Sequence, residues 1–402
     1  MKLKCQPEDF VVNEVSGRKP TQGPFALYEL RKRGIGTLEA LQTYQREFDL
    51  PAGYVAHAGL KDRHAVTTQF ITVRNGAAQD FHAESFQLRY LGRTAKPLTA
   101  DDIVANRFSI VLRSLDATEV ATIRQRLSVV ERRGYLNYFD EQRFGSLGAS
   151  GEYIAAAWCQ KNYERALWLA LAEHNAHDRR EEREQKAILR DHWGDWQLCK
   201  DRLDRSHRRS IVTYLVDHPE GFRKAFALLN PNLRGLYLSA FQSAVWNRML
   251  ALLVSDSLDD QTASGVQIAD LTVPIDIPGG LCDRLPLPSV RLKQSDAALR
   301  SLMDRALQPF DMRWRDMKVS FPRDRWFSKA QRATCIQPAN LAAEFSTDEI
   351  YDGHQKLTLS FELPRGCYAT MLIKTLTTAE QMADDVTLTE ATKSRTGDCD
   401  QP

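Results

Sequence analysis

The stretch "GLKDRHAVTTQ", residues 59–69, sets a lysine, an aspartate, an arginine and a histidine in consecutive positions, Lys61 to His64, ahead of small and hydroxylated side chains. A loop position between two β-type runs is a common home for chemistry, and Asp62 stands on one. The same residues also fit an exposed polar loop in which Asp62 pairs weakly with Lys61 or Arg63. A second stretch, "GYLNYFDEQRFGSLG" from Gly134 to Gly148, places Tyr135, Tyr138, Phe139 and Phe144 among Asn137, Gln142 and Arg143. Rings supply stacking faces and an amide can satisfy a Watson–Crick edge, which is what a base turned out of its stack requires. It fits equally a hydrophobic turn in which Asn137 caps local backbone.

Other chemistries find less support. His174 and His177 in "EHNAH" could share one helix face, but no third ligand lies near in sequence, and no metal is expected. The seven cysteines (Cys5, Cys159, Cys199, Cys282, Cys335, Cys367 and Cys399) are scattered and never form a C-x-x-C pair, so they read as reduced packing thiols. "GASG" at 148–151 lacks the spacing of a nucleophile elbow, and no phosphate-binding glycine motif follows a strand. Nucleotide hydrolysis and dinucleotide redox chemistry are thereby left without support.

The elements that must position these residues fall into two patterns. From Phe10 to Arg113, "FVVNEV", "FALYEL", "YVAHA", "FITV", "FQLRYL" and "RFSIVLR" are short β-type runs separated by turn residues. Asp62 therefore belongs to a strand-to-strand connection. Thr37 can N-cap a helix over about Leu38 to Phe48, and a second helix over about Thr118 to Arg133 stops at Gly134. This part reads as α+β with a mixed sheet. After Ser150 long helical patterns take over, among them "YERALWLALAEH" and "LYLSAFQSAVWNRMLALLV", followed by the Pro/Gly-rich β-like "VQIADLTVPIDIPGGLCDRLPLP" and a helix near Asp296 to Leu307. Strand character returns near Cys335, with "KLTLSFELP" and then "RGCYATMLIKTL", a turn entering a helix. Strands at both ends with helices between them imply a domain inserted into another.

The totals agree with that plan. A chain of 402 residues exceeds one ordinary domain, and 43% hydrophobic with 26% charged residues is a soluble globular composition. No apolar run approaches the length of a membrane span, and "MKLKCQPEDF" turns acidic before a signal-peptide core could form, so the cytoplasm is expected. The 54 basic and 52 acidic residues nearly cancel, so distribution carries the information. "ELRKRG" at 29–34, "RSHRR" at 205–209 and "MRWRDMKVSFPRDRW" at 312–326 could contact phosphates and bases, or simply pack a surface. No coiled-coil seam is visible, and a monomer is expected.

Taken together, these blocks resemble the TruD-type family of tRNA pseudouridine synthases. "PEDFVVNE" at 7–14 is similar to the family's N-terminal motif, "GLKDRHAVTTQ" to its catalytic loop and "NYFDEQRFG" at 137–145 to its N-Y-F-x-x-Q-R-F-G signature. "LSAFQSAVWN" at 238–247 and "LPRGCYATMLIKTL" at 363–376 resemble its later motifs. The resemblance implies an α+β pseudouridine-synthase catalytic domain with a mixed, largely antiparallel sheet, over residues 1–150 and 326–390. A family-specific inserted α/β domain rich in helices would occupy 151–325, and 391–402 would be a disordered tail.

The resemblance also implies the chemistry. Uridine becomes pseudouridine when the C1′–N1 bond breaks, the uracil rotates and C1′ joins C5, and no cofactor is needed. Asp62 falls on the catalytic aspartate, acting as nucleophile or as stabiliser of the sugar cation, while Phe10, Asn137, Phe139 and Tyr368 fall on positions lining the target uridine. Tyr368 stands where the family often has Phe, and Asp140 where it often has Gly. Lys4 or Lys61 would keep the carboxylate charged. The substrate implied is uridine 13 in the D-arm of tRNA. The same chemistry on another tRNA position or another RNA, and a non-catalytic RNA-binding protein or tRNA chaperone, are the alternatives.

Overall fold

The computed structural model describes residues 1–51, 53–176, 178–258, 264–292, 296–319, 321 and 327–378. The expected tail at 391–402 lies outside the described residues. The chain divides into two compact units, Met1–Tyr135 with Ile336–Thr377, and a second containing Leu136–Cys335.

The first unit is built on a ten-stranded sheet. Its strands are β1 (Lys2–Leu3), β2 (Phe10–Ser16), β3 (Phe25–Arg33), β4 (Val55–His57), β5 (Val66–Arg74), β6 (Phe81–His82), β7 (Phe86–Thr94) and β8 (Ile103–Leu115), with Ala339–Thr347 and Gln355–Pro364 returning from the far end of the sequence. The order runs Ala339–Thr347, Gln355–Pro364, β8, β2, β5, β3, β7, β6, with β1 on β8 and β4 on β5. Only β2 and β5 pair in parallel; every other ladder of this sheet is antiparallel. The fold is α+β with a mixed, largely antiparallel sheet.

Alternation explains which face each strand buries. Ala26, Tyr28 and Leu30 of β3 join Ile71 and Val73 of β5 and Phe86 and Leu88 of β7 in one core, roofed by Ala40, Leu41 and Tyr44 of helix α1 (Thr37–Glu47). The N-cap of α1 is Gly36 rather than Thr37, whose hydroxyl is bound to the loop before β5 instead. Helix α2 (Ala117–Arg133) starts at an Asp116–Glu119 capping box and stops at Gly134, where φ of +78° suits a residue without a side chain.

The second unit is helix-rich, with two short antiparallel ladders among the described residues, Gly265–Ile268 with Leu271–Pro274 and Arg284–Pro286 with Gln331–Ala333. Its longest helix, Pro231–Ser255, carries Phe241, Trp246 and Met249 fully buried. The unit begins at Leu136, earlier than the sequence-based edge at 151. The reason is local, since Asn247 on that helix both accepts from the Phe139 N–H (2.9 Å) and donates to the Phe139 carbonyl (2.8 Å). The signature "NYFDEQRFG" is thereby fastened to the helical unit.

Candidate active site

Asp62 lies in the connection from β4 to β5, and a set of side-chain contacts holds that connection down. The Gln69 amide donates to the Gly59 carbonyl at 3.1 Å, and the Lys61 N–H donates to the Thr37 hydroxyl at 3.0 Å. Thr37 in turn donates to Gln69 at 2.8 Å. Lys61 reaches back to Glu14 (2.8 Å) and donates to Asn106 (2.9 Å), while the Lys32 ammonium donates to the main-chain carbonyl of Asp62 at 2.6 Å. Glu14 and Asn106 are directly opposed residues of β2 and β8, so the sheet register itself makes the receptor for Lys61.

The Asp62 carboxylate points to a different cation. Lys4 Nζ donates to Asp62 Oδ2 at 2.7 Å, with the Lys4 and Asp62 side chains 24% and 34% exposed, so the pair is partly desolvated but reachable. Lys4 Nζ also stands 4.1 Å from the centroid of the Phe10 ring, which faces it as a cation–π partner. The backbone that delivers Lys4 is left-handed, φ +57°, a conformation costing a side-chain-bearing residue about 1–2 kcal/mol. Pairing of Lys2 with Arg113 and Leu3 with Leu112 anchors the chain just before it. Lys61 is fully engaged with Glu14 and Asn106, and Arg63 pairs with Glu39 on α1. Neither neighbour in sequence takes the Asp62 carboxylate.

Such an arrangement can do one thing well. Lys4 orients the carboxylate through Oδ2, and among the described residues no hydrogen bond is donated to Oδ1. A carboxylate oxygen left open beside a buried ring can attack, or stabilise, an electron-poor carbon.

The other expected residues lie as follows. Phe10 is buried on β2, edge-on to Phe108 with centroids 6.4 Å apart. Tyr368 is half-buried ahead of the helix Ala369–Thr377, in the same unit, and its carbonyl accepts from the Tyr135 hydroxyl at 3.3 Å. Asn137 and Phe139 belong to the second unit. There Arg332 donates to Asn137 Oδ1 (2.7 Å) and to its carbonyl (2.9 Å), and the Asn137 amide donates to the Ala333 carbonyl at 2.9 Å. The Arg332 guanidinium lies 4.0 Å from the centroid of Phe139, whose ring also meets Trp246 edge-on. Asp140 is buried and opens the short helical turn Glu141–Phe144.

Sequence reading missed Lys32, Glu14, Asn106 and Arg332. Lys32 had a signal, since it occupies the inward phase of β3 with Tyr28 and Leu30, where the alternation calls for an apolar residue. Arg332 had none. The basic stretches serve mixed ends: Arg33 pairs with Glu8, Arg208 pairs with Glu182 and Arg209 donates to the Lys200 carbonyl. Residues 320 and 322–326 of the stretch at 312–326, and His177, lie outside the described residues. Among the described residues no three His, Cys, Asp or Glu side chains are grouped to hold a metal, and no helix is long and apolar enough to cross a membrane.

A family model described as tRNA pseudouridine synthase D (TruD) matches residues 1–269. The tRNA pseudouridine synthase D of Leptospira interrogans is 29% identical over 394 residues, covering 93% of this chain and 95% of that protein. The tRNA pseudouridine synthase D of Aquifex aeolicus is 27% identical over 400 residues, covering 94% and 98%. Among solved structures, a Methanosarcina mazei protein described as a tRNA pseudouridine synthase D shares the fold, with a TM-score of 0.69 at 23% identity over 94% of this chain and 93% of that one.

Proposed function

The chain belongs to the TruD family of tRNA pseudouridine synthases, and from that premise we propose that it isomerises uridine 13 in the D-arm of tRNA, with Asp62 as the catalytic nucleophile. One observation carries the assignment to Asp62: Lys4 donates to its carboxylate at Oδ2 while no described residue donates to Oδ1. The surrounding residues support that role. Lys61 and Lys32 restrain the loop rather than the carboxylate, so Asp62 is fixed through its backbone while Lys4 holds its tip.

In this reading the C1′–N1 bond of the target uridine breaks with the electron pair passing to the uracil, and Asp62 meets the positive charge left on the sugar. The uracil turns, C5 joins C1′, the C5 proton leaves to a base, and N1 ends protonated. The product is an isomer and no oxidant or cofactor enters. Lys4 is the charge partner in this scheme, and Lys61 acts on Glu14 and Asn106. Phe10, Tyr368, Asn137 and Phe139 are assigned to the uridine, where stacking offsets the few kcal/mol that extruding a base costs.

The test incubates the protein with unmodified tRNA and maps pseudouridine by carbodiimide labelling, beside Asp62→Asn. The expected outcome is product at position 13 from the parent and a loss of roughly 10⁴-fold or more in turnover from the variant. No product from the parent overturns the enzyme assignment in favour of an RNA-binding or chaperone role. Product at another uridine overturns the position, and an active Asp62→Asn overturns the nucleophile.

A further inference from the structure

Lys32 is a charged residue in a place built for an apolar one. It follows Tyr28 and Leu30 on the inward phase of β3, and only 1% of its surface is exposed. Its ammonium donates to two main-chain carbonyls, those of Ile35 at 2.8 Å and Asp62 at 2.6 Å. No carboxylate forms an ion pair with it among the described residues. Burying an ammonium against neutral oxygens alone costs several kcal/mol, far more than a methionine of similar length would. A stability argument gives no reason for lysine here, so the reason lies in what its charge touches.

We infer that Lys32 is a positioning residue for the reaction proposed above: it grips the carbonyl of the nucleophile's own peptide unit and fixes the Asp62 side chain against Lys4 as substrate arrives. The role rests on the reading of Asp62 given above and deepens it. Two cations then bracket one residue, Lys4 at the carboxylate and Lys32 at the backbone. With Gln69 on Gly59 and Thr37 on Lys61, Lys32 closes a series of fixings along consecutive parts of the loop, and it is the one applied at the main chain of Asp62. Misplacement of a reacting group by about 1 Å is enough to lower a rate on the order of 10²-fold.

The charge of Lys32 is poised to titrate. Burial pulls its pKa down to about 8, the Asp62 carboxylate opposes that shift, and the Lys61 and Arg63 cations add to it. Lys61 is itself neutralised by Glu14, and Arg63 by Glu39. Rising pH should therefore remove the ammonium from beneath Asp62.

The experiment measures single-turnover rate and tRNA affinity from pH 6 to pH 10 for the wild type, Lys32→Met and Lys32→Gln. For Lys32→Met the expected result is a fall in rate of about ten- to a hundred-fold with tRNA affinity changed less than about two-fold, since the residue is buried and touches the loop rather than the RNA. Glutamine, which can still donate to carbonyls without charge, should fall between the two. The wild-type rate should decline through a pKa near 8, and that limb should be missing from Lys32→Met. A wild-type profile with no decline in that range overturns the role even if both variants fail to fold. A Lys32→Met protein as fast as a wild type that turns over overturns it while leaving the function of Asp62 standing, whereas a wild type that forms no pseudouridine overturns that earlier reading by itself.

Discussion

Two acidic sites in the first unit use the same kind of pair to opposite ends. Arg113 on β8 is 3% exposed at its side chain and binds Asp9 (2.9 Å) and Asp348 (3.0 Å), exposed by 1% and 0%. Every oxygen there is served, because Asp9 also accepts from the Gln6 N–H, and Asp348 accepts from the N–H groups of Ser114 and Ile350. Asp62 has one cation and keeps an oxygen in reserve, on a residue a third exposed. A carboxylate saturated with donors is a fastening between distant parts of a chain; one held by a single donor retains basicity and lone pairs for a substrate.

That contrast can be broken at three points. Arg113→Met leaves two buried carboxylates without their shared cation, and the expected loss is about 3–5 kcal/mol of stability, read by urea unfolding. Turnover per folded molecule should stay near that of the parent, which would separate the fastening from the chemistry. Lys4→Met should do the reverse, lowering the rate constant on tRNA by roughly ten- to a hundred-fold while moving the unfolding midpoint little, because a partly exposed pair contributes little stability. Equal rates for Lys4→Met and the parent would remove Lys4 as charge partner.

The smallest effect is in the pH dependence of stability. Burial alone would raise the Asp348 carboxyl, but the N–H groups of Ser114 and Ile350, together with Arg113 and the Tyr351 N–H, hold it below the ordinary carboxylate range. Such a group stabilises the folded state fully above its unfolded pKa of about 3.9, and that contribution is lost as pH falls through the lower folded value. Lys32 works in the other direction: its folded pKa of about 8 lies below the ordinary lysine value of 10.5, so the unfolded chain binds more protons between the two and stability should rise with pH across that window. Thermal unfolding of the parent and Lys32→Met from pH 3 to pH 10 checks both, since the alkaline rise should vanish in the variant and the acid loss should remain.

Much of this was legible in the sequence, for identifiable reasons. The strands of the first unit announce themselves by alternation and turn residues, and α2 by its terminal glycine. Asp62 stood out because four charged side chains in succession between two β-type runs demand an explanation. Its partner was harder to choose, because Lys4 is 58 positions away and reaches it only through a left-handed backbone that spacing does not encode. Thr37 shows the same limit: as a threonine at a helix start it fits a cap, yet it supports the loop, a role set by a neighbouring strand. Arg332 lies 195 positions from Asn137, and nothing local to either residue joins them.

Lys4 owes its place to β1, a strand of two residues paired to β8 at Lys2 and Leu3. Short terminal ladders open far more often than the sheet they border, and they do so without unfolding the rest. An opening of β1 would take away the anchor of Lys4, the one cation on the Asp62 carboxylate among the described residues. Amide exchange at Leu3, set beside turnover, reads whether that pair follows the short ladder rather than the stability of the whole sheet.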